Sequence, residues 1–143
     1  MKITELMIDN WIQLNNSNYR IKRINKNGHM ILWEKFGKYE LEPEFNTSHL
    51  IDVIEPIKVT PEILENNGFD EYCGLWPYPT YRYDDGINVC ITFAFPAGKK
   101  TTRTKSFIEI DTKDNYIQCF QCEYVHQLQN ILRLCNINKD IEL

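Results

Sequence analysis

Ile87-Asn88-Val89-Cys90-Ile91-Thr92-Phe93-Ala94-Phe95 is the stretch whose reading decides the fold class. Ile87, Val89, Ile91, Phe93 and Phe95 recur at every second position, the spacing of a half-buried β-strand. Pro96-Ala97-Gly98 turns the chain, and Ser106-Phe107-Ile108-Glu109-Ile110 returns as a second strand. Asp111 to Asn115 is a turn, and Tyr116 to Phe120 makes a third strand. Strands joined in this way predict an antiparallel meander.

Upstream of it, residues up to about Ile57 read as a second set of strands. Trp11-Ile12-Gln13-Leu14 is a short strand, and Asn15-Asn16-Ser17-Asn18 is a turn, because Asn tolerates left-handed backbone. Tyr19 to Ile24 alternates. Asn27-Gly28 is a strong hairpin signal, and His29 to Glu34 returns after it. Leu50 to Ile54 forms a further strand. This meander is expected to curl toward a barrel.

Two helices complete the pattern. Thr60 is an N-cap with Pro61 at the first helical position, and Gly68 supplies a left-handed C′ residue onto which Phe69 folds back toward Leu64. The last helix runs from about Glu123 to Cys135, with Val125, Leu128, Leu132 and Cys135 at helical spacing. Its apolar stripe is expected to pack on the second sheet. The fold class is therefore α+β: two small antiparallel β-meanders, one short central helix and one C-terminal amphipathic helix. The chain is read as a single domain, residues 1–143, with lobes at 1–57 and 58–143.

Composition agrees with a folded domain. The chain has 143 residues, 43% of them hydrophobic and 25% charged, with a formal net charge of −4. A domain of roughly 150 residues buries about 70% of its unfolded surface, so a core forms without disulfide staples. The pI near 5.4 argues against a DNA-coating protein. No apolar run reaches the roughly 18 residues of a membrane span, and the first residues carry no export signal. The five cysteines are then expected to be reduced thiols of a cytoplasmic protein.

Three groups of residues could carry function. Trp76, Tyr78, Tyr81 and Tyr83 stand in a segment punctuated by Gly74, Pro77 and Pro79. Trp and Tyr dominate interaction hot spots, and proline stiffens the segment that presents them. Lys99, Lys100, Arg103 and Lys105 cluster in a Thr-rich hairpin able to touch phosphate. Cys119 and Cys122 form a C-x-x-C with His126 downstream, the residue types of a zinc site or of an activated thiol. However, Cys119 and Cys122 would point to opposite faces of a strand, and no Gly or Pro tightens the pair. No catalytic role, metal site or cofactor is assigned.

Three stretches carry a resemblance. They are Glu5-Leu6-Met7-Ile8-Asp9-Asn10-Trp11-Ile12, then Glu55-Pro56-Ile57-Lys58-Val59-Thr60-Pro61-Glu62-Ile63-Leu64 running to Gly68-Phe69, and Tyr124-Val125-His126-Gln127-Leu128-Gln129-Asn130. In order and spacing they resemble a family of short uncharacterised proteins from Bacteroidetes genomes and their prophages. The resemblance implies a phage or mobile-element setting and transfers no activity. The leading expectation is a non-enzymatic protein that binds a protein partner through the aromatic segment. The alternatives are a nucleic-acid-associated module using the basic hairpin, and a Cys/His enzyme or metal protein.

Overall fold

The computed structural model describes residues 6–24, 30–36, 39–41, 54–74, 77–87, 89–98, 104–113 and 116–143. The chain forms two compact units. One comprises Met1–Lys58 with Tyr124–Leu134, the other Val59–Glu123 with Cys135–Leu143.

The alternating stretch forms β7 (Val89–Ala94), the central strand of a five-stranded antiparallel sheet in the second unit. The other strands are β5 (Asp70–Tyr72), β6 (Thr80–Asp84), β8 (Phe107–Thr112) and β9 (Tyr116–Gln121), in the order β5-β6-β7-β8-β9. Register aligns the rows. Tyr81 faces Phe93, which faces Ile108; Tyr83 faces Ile91, which faces Ile110. These rows line one face, where Ile91, Phe93 and Ile108 are fully buried. The intervening row, Arg82-Thr92-Glu109, lines the opposite face.

The sheet has two more strands than the sequence reading assigned. Phe69 to Tyr83 is expected to be an aromatic loop, yet β5 and β6, Asp70–Tyr72 and Thr80–Asp84, pair with each other. Thr80-Tyr81-Arg82-Tyr83-Asp84 itself alternates, and its β-branched and aromatic residues suit a pleated surface. The prolines interrupt only the connection between the two strands.

α1 (Pro61–Asn66) belongs to the second unit and is short because both ends are capped. Thr60 Oγ1 accepts the Ile63 N–H at 3.3 Å. At the other end Gly68 sits at φ 75, Phe69 N–H donates to Leu64 O and Gly68 N–H to Glu65 O, each at 3.0 Å. That bond pair is a Schellman motif. It buries Leu64 and Phe69 together.

In the first unit β1 (Trp11–Leu14), β2 (Ser17–Ile24), β3 (Met30–Phe36) and β4 (Tyr39–Leu41) form an antiparallel sheet in that order. Asn15 and Asn16, at φ 50 and 65, make the two-residue turn between β1 and β2. Among the described residues β1 and β4 are opposite ends of an open sheet, which corrects the barrel expectation. The Asn27-Gly28 turn and Leu50 to Val53 of the expected further strand lie outside the described residues. Leu6, Ile12, Leu14, Tyr19, Ile21 and Ile54 form the core.

α2 (Val125–Leu134) packs against β1 and belongs to this first unit. That corrects the expectation that it covers the second sheet. Periodicity shows that a helix has an apolar face, here Val125, Leu128 and Leu132, but not which sheet receives it. The choice is made by hydrogen bonds from a residue inside the apolar stripe, Gln129.

Candidate interaction surface

The period of β6 puts Tyr81 and Tyr83 on the same, inner face of the second sheet. Tyr81 is buried on the inner face, its ring edge-on to Phe95 at 5.9 Å. Tyr83 is half-buried beside Phe69, at 5.4 Å between ring centroids. Both support the core. Tyr78 is half-buried with its ring edge-on to Phe107 at 5.3 Å. Trp76 lies outside the described residues.

Among the described residues of this region the exposed aromatic is Tyr72, 40% accessible on edge strand β5. Its ring is held from two sides. The Arg82 guanidinium lies 4.9 Å from the ring centroid, a cation–π contact across the β5–β6 pair. Gly74 takes the other side, because any Cβ there would collide with Tyr72 Cε1. Thr80 ties the strand ends together: its hydroxyl donates to the Tyr72 carbonyl at 2.6 Å, with the Tyr78 carbonyl 3.1 Å away.

Arg82 is fixed in turn. Its Nε donates to Cys90 Sγ at 2.7 Å, and its Nη2 lies 3.7 Å from Asp84 Oδ2. The bond to Cys90, with the electrostatic support of Cys90, Tyr72 and Asp84, raises its pKa against the opposing effect of burial. The guanidinium is thus a permanent cation beside an exposed phenol ring. Sequence reading missed Arg82 and Cys90. The signal that could have found them is the alternation of Thr80 to Asp84, which puts Tyr72 and Arg82 on one face once β5 and β6 are read as strands.

The other expected groups are less gathered. Lys99, Lys100 and Arg103 lie outside the described residues. Lys105 is exposed and pairs with Glu123 at 3.8 Å. With Thr104, Ser106, Phe107, Cys119, Phe120 and Gln121 it lines a shallow cavity of about 350 Å³. Cys122 is fully buried, its N–H bonded to Ser106 O at 3.1 Å. His126 is fully buried on α2, its ring stacked on Tyr124 at 5.8 Å. Among the described residues no three His, Cys, Asp or Glu side chains are grouped to hold a metal ion.

Residues 6–12, 55–58 and 124–130 of the three stretches that carry the resemblance are joined in the first unit, whereas Val59 to Phe69 of the middle stretch belongs to the second. Gln129 Oε1 accepts the Trp11 N–H, and Asn130 Oδ1 accepts from Asn10 Nδ2. Ile57 O accepts the Val125 N–H at 2.8 Å, and Glu55 exchanges backbone bonds with Gln13 at 2.9 and 2.8 Å. These residues form a structural joint.

Compared with protein-family models, curated proteins and solved structures, the chain has no significant match in any of the three. No described helix is long and apolar enough to cross a membrane.

Proposed function

We propose that this chain is a non-enzymatic, cytoplasmic protein-binding module of a prophage or mobile element, and that its contact surface centres on Tyr72 and Arg82. The observation that carries the reading is the locked Tyr72 ring. An exposed aromatic that Arg82 and Gly74 already hold in one orientation loses little conformational entropy on binding. Tyr and Arg are also the residue types enriched where binding energy concentrates. Asp70, Glu71 and Tyr72 are all exposed, so this edge offers backbone as well as side chains to a partner. Tyr81 and Tyr83 serve the surface indirectly, by anchoring β6 from the inner face. The phage setting rests on the resemblance carried by the opening, middle and closing stretches.

The test is proximity cross-linking in host cytoplasm with wild-type chain, Tyr72→Ala and Arg82→Gln. The same partner should be captured by the wild type and lost at least tenfold with either variant, both remaining folded. Unchanged capture by both folded variants would remove this surface from the reading.

A second reading, nucleic-acid binding, is favoured by Lys105 and the exposed Phe120 lining one cavity, since base stacking and phosphate contact need that pairing. Salt-sensitive retention on single-stranded DNA, weakened by Lys105→Gln and Phe120→Ala, is its expected signature. Retention that ignores salt and both substitutions would eliminate it.

A further inference from the structure

Asn67-Gly68 is a reactive pairing, because asparagine is thermolabile and glycine places no side chain beside its own amide nitrogen. In the reaction open to it, the Gly68 nitrogen attacks Asn67 Cγ. An N–Cγ bond forms, the Cγ–Nδ2 bond breaks, and Nδ2 leaves as ammonia with the Gly68 amide proton. Water then opens the cyclic imide at Cγ, giving aspartate, or at the Asn67 main-chain carbonyl, giving isoaspartate. Ring closure needs the Gly68 nitrogen to swing beside Asn67 Cβ. Asn67 instead sits at ψ 17, which turns that nitrogen toward Asn67's own N. The Gly68 N–H is engaged with Glu65 O at 3.0 Å, inside the Schellman motif that holds Gly68 at φ 75. Both Nδ2 protons are used as well, on Ile63 O and Glu142 O at 2.7 Å, and Oδ1 accepts the Glu142 N–H at 2.9 Å. Asn67 is 1% exposed, so attacking water is kept away. Every one of these partners lies in the second unit.

From this geometry we propose that Asn67-Gly68 is a conformation-gated deamidation site, inert while the second unit is folded and reactive once it unfolds. The products then weaken the fold that protected the residue. Aspartate at this position has no N–H for Ile63 O or Glu142 O, and it sets a buried carboxylate against two carbonyl oxygens. Isoaspartate adds Cβ to the main chain, which displaces the Gly68 and Phe69 N–H groups from their acceptors at the end of α1. Unfolding of this unit is thereby written into the chain as a covalent change, and it becomes irreversible at the rate of the chemistry. The site shares no residue with the Tyr72–Arg82 surface, so the failure of one proposal leaves the other standing.

The test follows Asn67 in the full wild-type chain, incubated at one mildly alkaline pH and one temperature, in native buffer and in urea. Peptide mass mapping reads the conversion and scores isoaspartate separately from aspartate. In urea Asn67 should yield both products, at a rate close to that of Asn27, which also precedes a glycine and serves as the internal clock. In native buffer the conversion of Asn67 should be at least about tenfold slower, since it then requires local or global opening. Equal rates at Asn67 in the two buffers overturn the gate. Absence of isoaspartate in urea overturns the cyclic route. Asn67→Asp carries one product without incubation and tests the consequence. It should unfold at a lower urea concentration than the wild type, or fail to fold. Stability equal to the wild type overturns the claim that conversion weakens the fold. The rate comparison uses the wild type alone, so it stands whether or not that variant folds.

Discussion

The side-chain carbonyl of Gln129 accepts the backbone N–H of Trp11 at 2.9 Å, across 118 positions of sequence. The same amide donates from Nε2 to the Asp9 carbonyl at 3.0 Å. Asp9 sits at φ 66, and Asn10 closes the turn by accepting the Met7 N–H at 2.7 Å. Gln129 is 3% exposed, so these bonds are made away from water. Replacing Gln129 by Met keeps most of the volume and strands two backbone groups, at a cost of about 1–3 kcal/mol for each buried group left unpaired. Urea unfolding of Gln129→Met should show a loss in that range. Stability equal to the wild type would mean that the joint is held by packing alone.

Gly74→Ala tests the locked ring. The new Cβ has no room while Tyr72 stays folded back, so the ring must leave Arg82. Because Tyr72 is exposed, the stability change should stay within about 1 kcal/mol, as for most surface substitutions. The Tyr72 ring resonances should move, and Arg82 should lose its ring-current shift. Resonances that stay in place would show that the backbone around residue 74 yields first.

Thiol accessibility gives an order of labelling. Cys73 is exposed, Cys90, Cys119 and Cys135 are half-buried, and Cys122 is buried. Burial also raises the Cys135 pKa, which reduces its thiolate fraction at a given pH. Iodoacetamide at pH 8 should modify Cys73 first, Cys135 more slowly, and Cys122 only on unfolding. Early modification of Cys122, read by peptide mass mapping, would contradict the placement of that side chain.

Tyr81 makes stability depend on alkaline pH. Burial raises its pKa from the ordinary 10.0, and the charges of Glu65 and Glu71 and a hydrogen bond to Glu65 raise it further. The folded chain therefore keeps Tyr81 protonated at pH values where the unfolded chain has released the proton. Its contribution is complete below the unfolded value near 10.0 and is lost as pH rises through the higher folded value. Between pH 8 and 11 the wild-type Tm should fall more steeply than that of Tyr81→Phe. Parallel curves would remove Tyr81 as the cause.

The caps of α1 contribute separately. Thr60→Ala removes the acceptor of the Ile63 N–H and should cost about 1 kcal/mol. Gly68→Ala forces a side chain to φ 75, at a cost of roughly 1–2 kcal/mol. Thermal unfolding should show both losses, adding in the double variant to within about 0.5 kcal/mol.

Local signals in the sequence were strong where one residue's own chemistry chooses the backbone. The Thr60 cap, Pro61 and Gly68 define α1 at both ends, and the five alternating apolar residues around Ile91 define β7 and its inner face. The candidate site was less legible. Tyr78, Tyr81 and Tyr83 were visible as an aromatic excess, but the placement of Tyr81 and Tyr83 on the inner face follows from β6 pairing with β7. The Tyr72–Arg82 contact requires that β5 pair with β6.

By itself, then, the sequence determined an α+β chain: two sets of antiparallel strands, a capped short helix and an amphipathic last helix. Those outcomes depend on residues within a few positions of one another, through period and turn chemistry. Tertiary structure alone decided that α2 joins the first sheet, that Asn67 grips Glu142, and that Arg82 holds Tyr72. Each of these is set by hydrogen bonds or ring contacts between separate elements, where the partner is fixed by the packed chain and no local pattern encodes it.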